Sequence, residues 1–288
     1  MISSRREWIK RSALLTALTA SGLYAYGSKQ RIKIGACDWS LGKSSDPGSF
    51  EIAKAIGLEG VQVNLGNSEN NLHLRQPEVL TKIIAASKLS GIPLSSLAVA
   101  ELNRVPYKSD PKTEQWVSDA IDVAAACGAK VILLAFFEKN DLRNDPKGIT
   151  EVVRRLKIVA PKAEKHGVNL GIESYLSAVE LIDIMDRVGS ASIKVYYDFR
   201  NSADAGYDVI KELHLLGKDR ICELHMKENG VLLGKGTLNW KKICDTLVAI
   251  DYIGNGWAQI EWAMPANADV VTSYKHNLEF LKEHFGYR

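Results

Sequence analysis

The chain has 288 residues, of which 46% are hydrophobic, 25% charged and 8% aromatic; this excludes disordered, collagen-like and coiled-coil proteins and leaves room for one α/β barrel of roughly 250 residues. The formal charge of +3 is unevenly placed: residues 1–30 carry +4 and residues 31–288 carry −1, so the body lacks the basic surface expected of a nucleic-acid-binding protein. The four cysteines, Cys37, Cys127, Cys222 and Cys244, lie far apart without a Cys-x-x-Cys pair, which argues against a zinc ribbon or disulfide scaffold and predicts core thiols.

Residues 1–30 read as an address. Arg5, Arg6 and Lys10 precede an apolar run over 13–26 that is too short and too weakly apolar for a membrane span of about 20 residues. A basic start followed by a short apolar stretch predicts a secretory signal, with Ala20-Ser21-Gly22 as a plausible cleavage region. The paired arginines resemble a twin-arginine signal, so the expected product is folded before export to the periplasm or cell exterior. An uncleaved amphipathic anchor is the alternative.

From residue 31 the chain alternates short apolar runs with longer helical ones. Strands are predicted at 32–37, 60–64, 93–98, 130–136, 169–173, 193–198, 221–225 and 257–261. Runs such as Val131-Ile132-Leu133-Leu134-Ala135-Phe136 suit strands covered on both faces. Pro47, Pro77 and Pro111 mark helix starts, and Gly57, Gly91, Gly128, Gly167, Gly189 and Gly217 mark helix ends. Such alternation implies parallel strands joined by helices, and eight units over 31–288 predict a single-domain (β/α)8 TIM barrel. No Gly-x-Gly-x-x-Gly follows a strand, so a dinucleotide fold has no support.

Barrels of this kind do chemistry at the C-terminal ends of their strands. Four successive predicted strands end in Glu173, Asp198, His225 and Glu261. Three carboxylates converging with one imidazole repel one another unless a cation joins them. Oxygen-rich ligands with one nitrogen suit Mn2+, Mg2+ or Co2+, and less typically Zn2+.

The segments Gly171-Ile172-Glu173, Asp198-Phe199-Arg200-Asn201, Leu224-His225-Met226-Lys227-Glu228 and Ile260-Glu261 resemble the metal-binding motifs of the xylose-isomerase-like barrel superfamily. Within it they most resemble the sugar phosphate isomerase/epimerase group, which includes ketose 3-epimerases and inosose dehydratase. Residues 233–240, with Gly234-Lys235-Gly236, are similar to that group's Gly-x-Gly segment after strand seven. The resemblance implies that Glu173, Asp198, His225 and Glu261 hold one divalent metal ion and that Glu173 and Glu261 are also the catalytic acid/base pair. It implies proton transfer through an enediolate, leading to epimerisation, aldose–ketose isomerisation or loss of a β-hydroxyl.

Asn201, Val231 and Val179 stand where ketose 3-epimerases carry His, Arg and Glu, which points away from a standard ketose 3-epimerase substrate. Lys227 shares a strand face with His225 and is expected to meet a substrate oxygen, or to pair with Glu101, Glu223 or Glu228. Trp39, His73, Glu101, Tyr175, Asn201 and Trp262 complete the candidate substrate contacts, while Phe136-Phe137 reads as core. The expected substrate is a small carbohydrate: a free sugar, keto-sugar, glycoside derivative or cyclitol. The alternatives are a metal-dependent dehydratase or lyase on a keto-sugar or inosose, and a non-catalytic exported sugar- or metal-binding protein. No nucleic-acid partner and no stable membrane span after processing are expected; homo-oligomerisation stays open.

Overall fold

A computed structural model of the chain describes residues 31–254 and 256–286. The expected signal segment, residues 1–30, lies outside the described residues. Eight parallel strands close into a barrel in sequence order: β1 (Lys33–Cys37), β2 (Gly60–Asn64), β3 (Leu94–Val99), β4 (Val131–Phe136), β5 (Asn169–Ser174), β6 (Ile193–Asp198), β7 (Ile221–Lys227) and β8 (Trp257–Glu261). The (β/α)8 expectation holds, and most strand ends agree to within a residue. β7 runs two residues beyond the expected end because its ladder with β8 continues to the pair Lys227–Glu261.

Helices follow the strands: α1 (Ser49–Ile56), α2 (Pro77–Ser90), α3 (Lys112–Cys127), α4 (Pro146–His166), α5 (Ala178–Val188), the short α6 (Phe199–Asp204), α7 (Val209–Arg220), α8 (Trp240–Ala249) and α9 (Val270–His284). Their starts are chemical. Asp145, Asp208, Asn239 and Asp269 accept first-turn N–H groups, and Ser177 forms a reciprocal capping box with Glu180. Gly57, Gly91, Gly128, Gly167 and Gly189 end helices in the left-handed conformation, as expected. Gly217 does not: it kinks α7 three residues before the helix ends. No described helix is long and apolar enough to cross a membrane.

Strand alternation sorts the side chains into two sets. Val61, Val63, Ile132, Leu134, Leu170, Ile172, Leu224 and Met226 join the helices in one continuous apolar cluster. The alternate positions face the barrel interior and are mostly small or polar, including Gly35, Gln62, Ser96, Gly171, Glu223 and Gln259, with a separate apolar patch around Val131 and Leu133. A Cβ on Gly35 would stand 2.3 Å from Gln259 Oε1, so glycine makes room for that amide. Cys37, Cys222 and Cys244 are buried thiols as expected; Cys127, at the end of α3, is only partly buried. Phe136 is core, but Phe137 is not: the strand ends at Phe136, and Phe137 turns into the mouth of the barrel.

Candidate active site

Parallel register brings the four strand-end residues to one place. β6 and β7 align Asp198 with His225, and β7 and β8 align Lys227 with Glu261. Glu173, Asp198, His225 and Glu261 are all buried, and each offers a ligand atom within 4.8 Å of the others. His225 Nδ1 lies 2.9 Å from Glu173 Oε1, 3.6 Å from Glu261 Oε2 and 3.8 Å from Asp198 Oδ2.

The other face of the imidazole is held from below. His225 Nε2 lies 2.9 Å from Gln62 Oε1 and 3.3 Å from Cys37 Sγ. An amide oxygen accepts, so it holds a proton on Nε2 and points Nδ1 at the carboxylates, the nitrogen that a ligating histidine would offer once its Nδ1 proton leaves. Tyr196 packs edge-on against the ring at 4.5 Å. Sequence reasoning missed Gln62 as a functional residue; its signal was a lone amide inside the apolar Val61-Gln62-Val63.

The carboxylates are positioned individually. Asn201 donates from Nδ2 to Glu173 Oε1 at 3.3 Å, and its backbone N–H caps onto Asp198 Oδ1 at 2.8 Å. The Trp39 indole donates to Glu261 Oε1 at 2.8 Å. Lys227 Nζ stands 3.0 Å from Glu261 Oε2, 3.5 Å from Asp198 Oδ2 and 3.3 Å from Asn201 Oδ1. The expected pairing of Lys227 with Glu101, Glu223 or Glu228 is replaced by pairing with Glu261 and Asp198. Each of the three has other partners: Glu101 takes Ser68 and Arg104, Glu223 takes Ser96 and Gln259, and Glu228 takes the Trp240 indole.

Electrostatics follow from the crowding. Burial, reinforced by Glu173 and Glu261 against the opposing pull of Lys227, raises the Asp198 carboxyl to about 7. Burial alone would lower the His225 imidazole, but Glu261 and Glu173 outweigh it and hold it up at about 9. Burial would raise Glu261, yet His225 and Lys227 bring it below the ordinary carboxylate value. The acids around Lys227 overcome its own burial and keep it charged.

A divalent cation fits this donor set. Asp198 Oδ2 and Glu261 Oε2 are buried, meet Lys227 Nζ at 3.5 and 3.0 Å, and both face Nδ1 of His225. Three carboxylates and one imidazole, oriented from behind, suit a hard or borderline metal.

Above them opens a cavity of about 330 Å³, lined by Trp39, Leu133, Ala135, Phe137 and Trp262 as well as by the polar Glu173, Lys227 and Glu261. Asn64, Asn103 and Glu138 add polar groups. Four expected substrate contacts do not line it: Asn201 holds Glu173 and Asp198 from beneath, and Glu101, His73 and Tyr175 lie elsewhere. Glu101 is buried and bound to Ser68 and Arg104, where it ties down the loop after β2. His73 lies in a short 3-10 turn of that loop, with its backbone on Asn70. Tyr175 stands just behind the wall, edge-on to Phe137 at 4.8 Å, with the Arg143 guanidinium over its ring.

A family model described as xylose isomerase-like TIM barrel matches residues 50–284. The 2-epi-5-epi-valiolone 7-phosphate 2-epimerase of Actinoplanes sp. is 24% identical over 177 residues, which is 61% of this chain and 65% of that protein, slightly under two thirds of its length. The D-psicose 3-epimerase of Enterocloster bolteae is 31% identical over 123 residues, or 39% of this chain and 40% of its own. Among solved structures, a D-psicose 3-epimerase crystallised with D-fructose superposes with TM-score 0.75 at 16% identity, covering 88% of this chain and all of that one. The Escherichia coli 3-keto-D-glucoside 4-epimerase gives TM-score 0.71 at 16% identity, with 88% and 100% covered. At such identities the structural likeness speaks for the fold.

Proposed function

Because this chain belongs to the xylose isomerase-like TIM barrel family, we propose that it is a sugar isomerase or epimerase that depends on a divalent metal and moves a proton on the carbon next to a carbonyl. The observation that carries this reading is the convergence of Glu173, Asp198, His225 and Glu261 within 4.8 Å beneath a sugar-sized cavity. Epimerase relatives, in sequence and in fold, support it.

Held by these four residues, the ion would supply Lewis-acid polarisation of the carbonyl and so acidify the adjacent C–H. Glu173 and Glu261 stand on different strands, so they can address different faces of a sugar held between them. One carboxylate removes the proton, leaving an enediolate in the substrate. Return of a proton to the opposite face of that carbon inverts it; return to the neighbouring carbon interconverts aldose and ketose. Trp39 orients Glu261, and Asn201 with His225 orients Glu173, so neither base has to be organised during the reaction. We favour a non-phosphorylated sugar or keto-sugar, and a reaction outside the cytoplasm if residues 1–30 act as the expected export signal.

The test is solvent deuterium incorporation. Protein loaded with Mn2+ or Mg2+ is incubated in D2O with ketoses, aldoses, 3-keto-sugars and inososes, and products are followed by NMR and mass spectrometry. Exchange that yields a new stereoisomer or an aldose–ketose pair is expected. Exchange with loss of water would replace this reading with a dehydratase. Stoichiometric metal binding with no exchange on any compound would replace it with a binding protein.

A further inference from the structure

Two side chains at the cavity mouth are held in a backbone conformation that their type rarely adopts. Trp262, directly after Glu261, has φ +47°, and Glu138, two residues after the end of β4, has φ +50°. For a bulky side chain the left-handed region is costly, and it persists where the surroundings impose it. β4 and β8 lie half-way round the closed barrel from one another, so the two strained residues flank the same opening. Both line the cavity, and both project outward: Trp262 is 48% exposed and Glu138 is exposed.

An exposed indole next to a catalytic carboxylate is not there for the core. Its face is suited to the apolar C–H surface of a pyranose ring, and an outer carboxylate accepts hydrogen bonds from hydroxyls. The cavity of about 330 Å³ falls in the range that takes a ligand larger than a fragment. Its charge pattern speaks against a phosphate. Among the described lining residues the only cation is Lys227, which is ion-paired to Glu261 and Asp198, while the mouth carries Glu138.

We propose that Trp262 and Glu138 form an outer subsite for a second, uncharged sugar unit, so that the substrate class is a glycoside of the sugar that reacts and not a sugar phosphate. This rests on the sugar-epimerase reading and names its substrate class. Glu173 and Glu261 then act on the inner ring, while the outer ring stacks on Trp262 and donates hydroxyls to Glu138. Phe137, half-buried between the two levels, supplies an apolar wall.

The experiment is equilibrium binding to the full chain loaded with Mg2+, read by tryptophan fluorescence and calorimetry, with glucose, maltose and glucose 6-phosphate as probes. Maltose is expected to bind about tenfold tighter than glucose, the size of one aromatic stacking contact, and glucose 6-phosphate more weakly than glucose. In Trp262→Ala the maltose-to-glucose ratio should collapse toward one. Trp262→Gly, whose backbone is at ease at positive φ, should do the same and guards against a folding failure. Glu138→Gln should narrow the gap between glucose and glucose 6-phosphate. Equal affinity for maltose and glucose, no binding of maltose, or an unchanged ratio in both Trp262 variants overturns the subsite. Failure of the two readings is separable. Proton exchange on a free keto-sugar without disaccharide preference removes only the subsite, and Trp262-dependent maltose binding without proton exchange on any substrate removes only the epimerase reading.

Discussion

The two faces of the same eight strands are built to opposite rules. Outward-facing residues such as Leu170, Ile172, Leu224 and Met226 are apolar, fully buried and part of one continuous cluster with the helices. Inward-facing residues one position away, such as Glu173, Glu223, His225 and Gln259, are polar and equally buried. Among the described residues, Gln62 Nε2 and Gln259 Oε1 lack hydrogen-bond partners below, and Asp198 and Glu261 are crowded with Glu173 above. Burying polar groups without partners is costly, so the outer face must carry the stability that the inner face gives up for chemistry.

The comparison breaks most sharply at the mouth. Glu261→Gln should leave the fold intact, weaken metal binding and lower proton exchange by at least about a hundredfold, the usual scale for a lost acid–base group. Exchange at the wild-type rate on the substrate found would remove Glu261 from catalysis.

One residue before His225 the opposite result is expected. Leu224→Ala, on the outward face, should cost about 2–5 kcal/mol of stability through lost burial and the cavity left behind. Urea unfolding measures the loss, and activity per folded molecule should stay close to that of the parent. A variant that is as stable as the parent but inactive would contradict this division of labour.

Asp38 extends the polar set into the turn after β1. It is fully buried and accepts from the backbone N–H groups of Ser45 and Asn64, and burial raises its carboxyl from 3.8 to about 7. The folded carboxyl therefore keeps its proton while the unfolded one has lost it. The associated stability is complete below pH 4 and disappears as the pH rises through about 7, a change of roughly 4 kcal/mol. Asp38→Asn keeps an acceptor and lacks the titration, so the gap between its melting temperature and the parent's should grow in the variant's favour from pH 4 to pH 8. A gap that does not move with pH would show that another group carries the effect.

The smallest effect concerns support from below. Gln62→Leu removes the acceptor at His225 Nε2 and should weaken Mn2+ binding about 10- to 100-fold, with the four ligands unchanged. Calorimetric titration reads this directly, and unaltered affinity would make the Gln62 contact incidental.

How much of this was legible depended on the range of the interaction. The strands announced themselves through apolar runs and the helices through Pro, Asp and Gly at their ends, because those signals act over a few residues. The four-residue acid–imidazole set was legible because a parallel barrel brings strand ends together, so identity at a strand end is enough to predict the neighbourhood. Glu101 turns away from the cavity because Ser68 reaches it from the loop after β2, whose path no local pattern encodes; Arg104, three residues on, completes the pair. Phe137 departs from the core although the strand end at Phe136 is legible, because the direction of the first residue past the strand is set by packing at the mouth, edge-on to Tyr175.

By itself the amino-acid sequence determined the order of strands and helices, the barrel they close into and which carboxylates and imidazole share its mouth. These follow from period-two and helical patterning together with short-range caps, which the rest of the chain does not override. Only the tertiary structure decided that Lys227 pairs with Glu261 and Asp198, that Gln62 holds His225 with Nδ1 toward the carboxylates, and that Trp262 and Glu138 flank the opening in strained conformations. Those depend on side chains from strands far apart in sequence meeting at distances of about 3 Å, a matter of register and packing that composition and spacing do not contain.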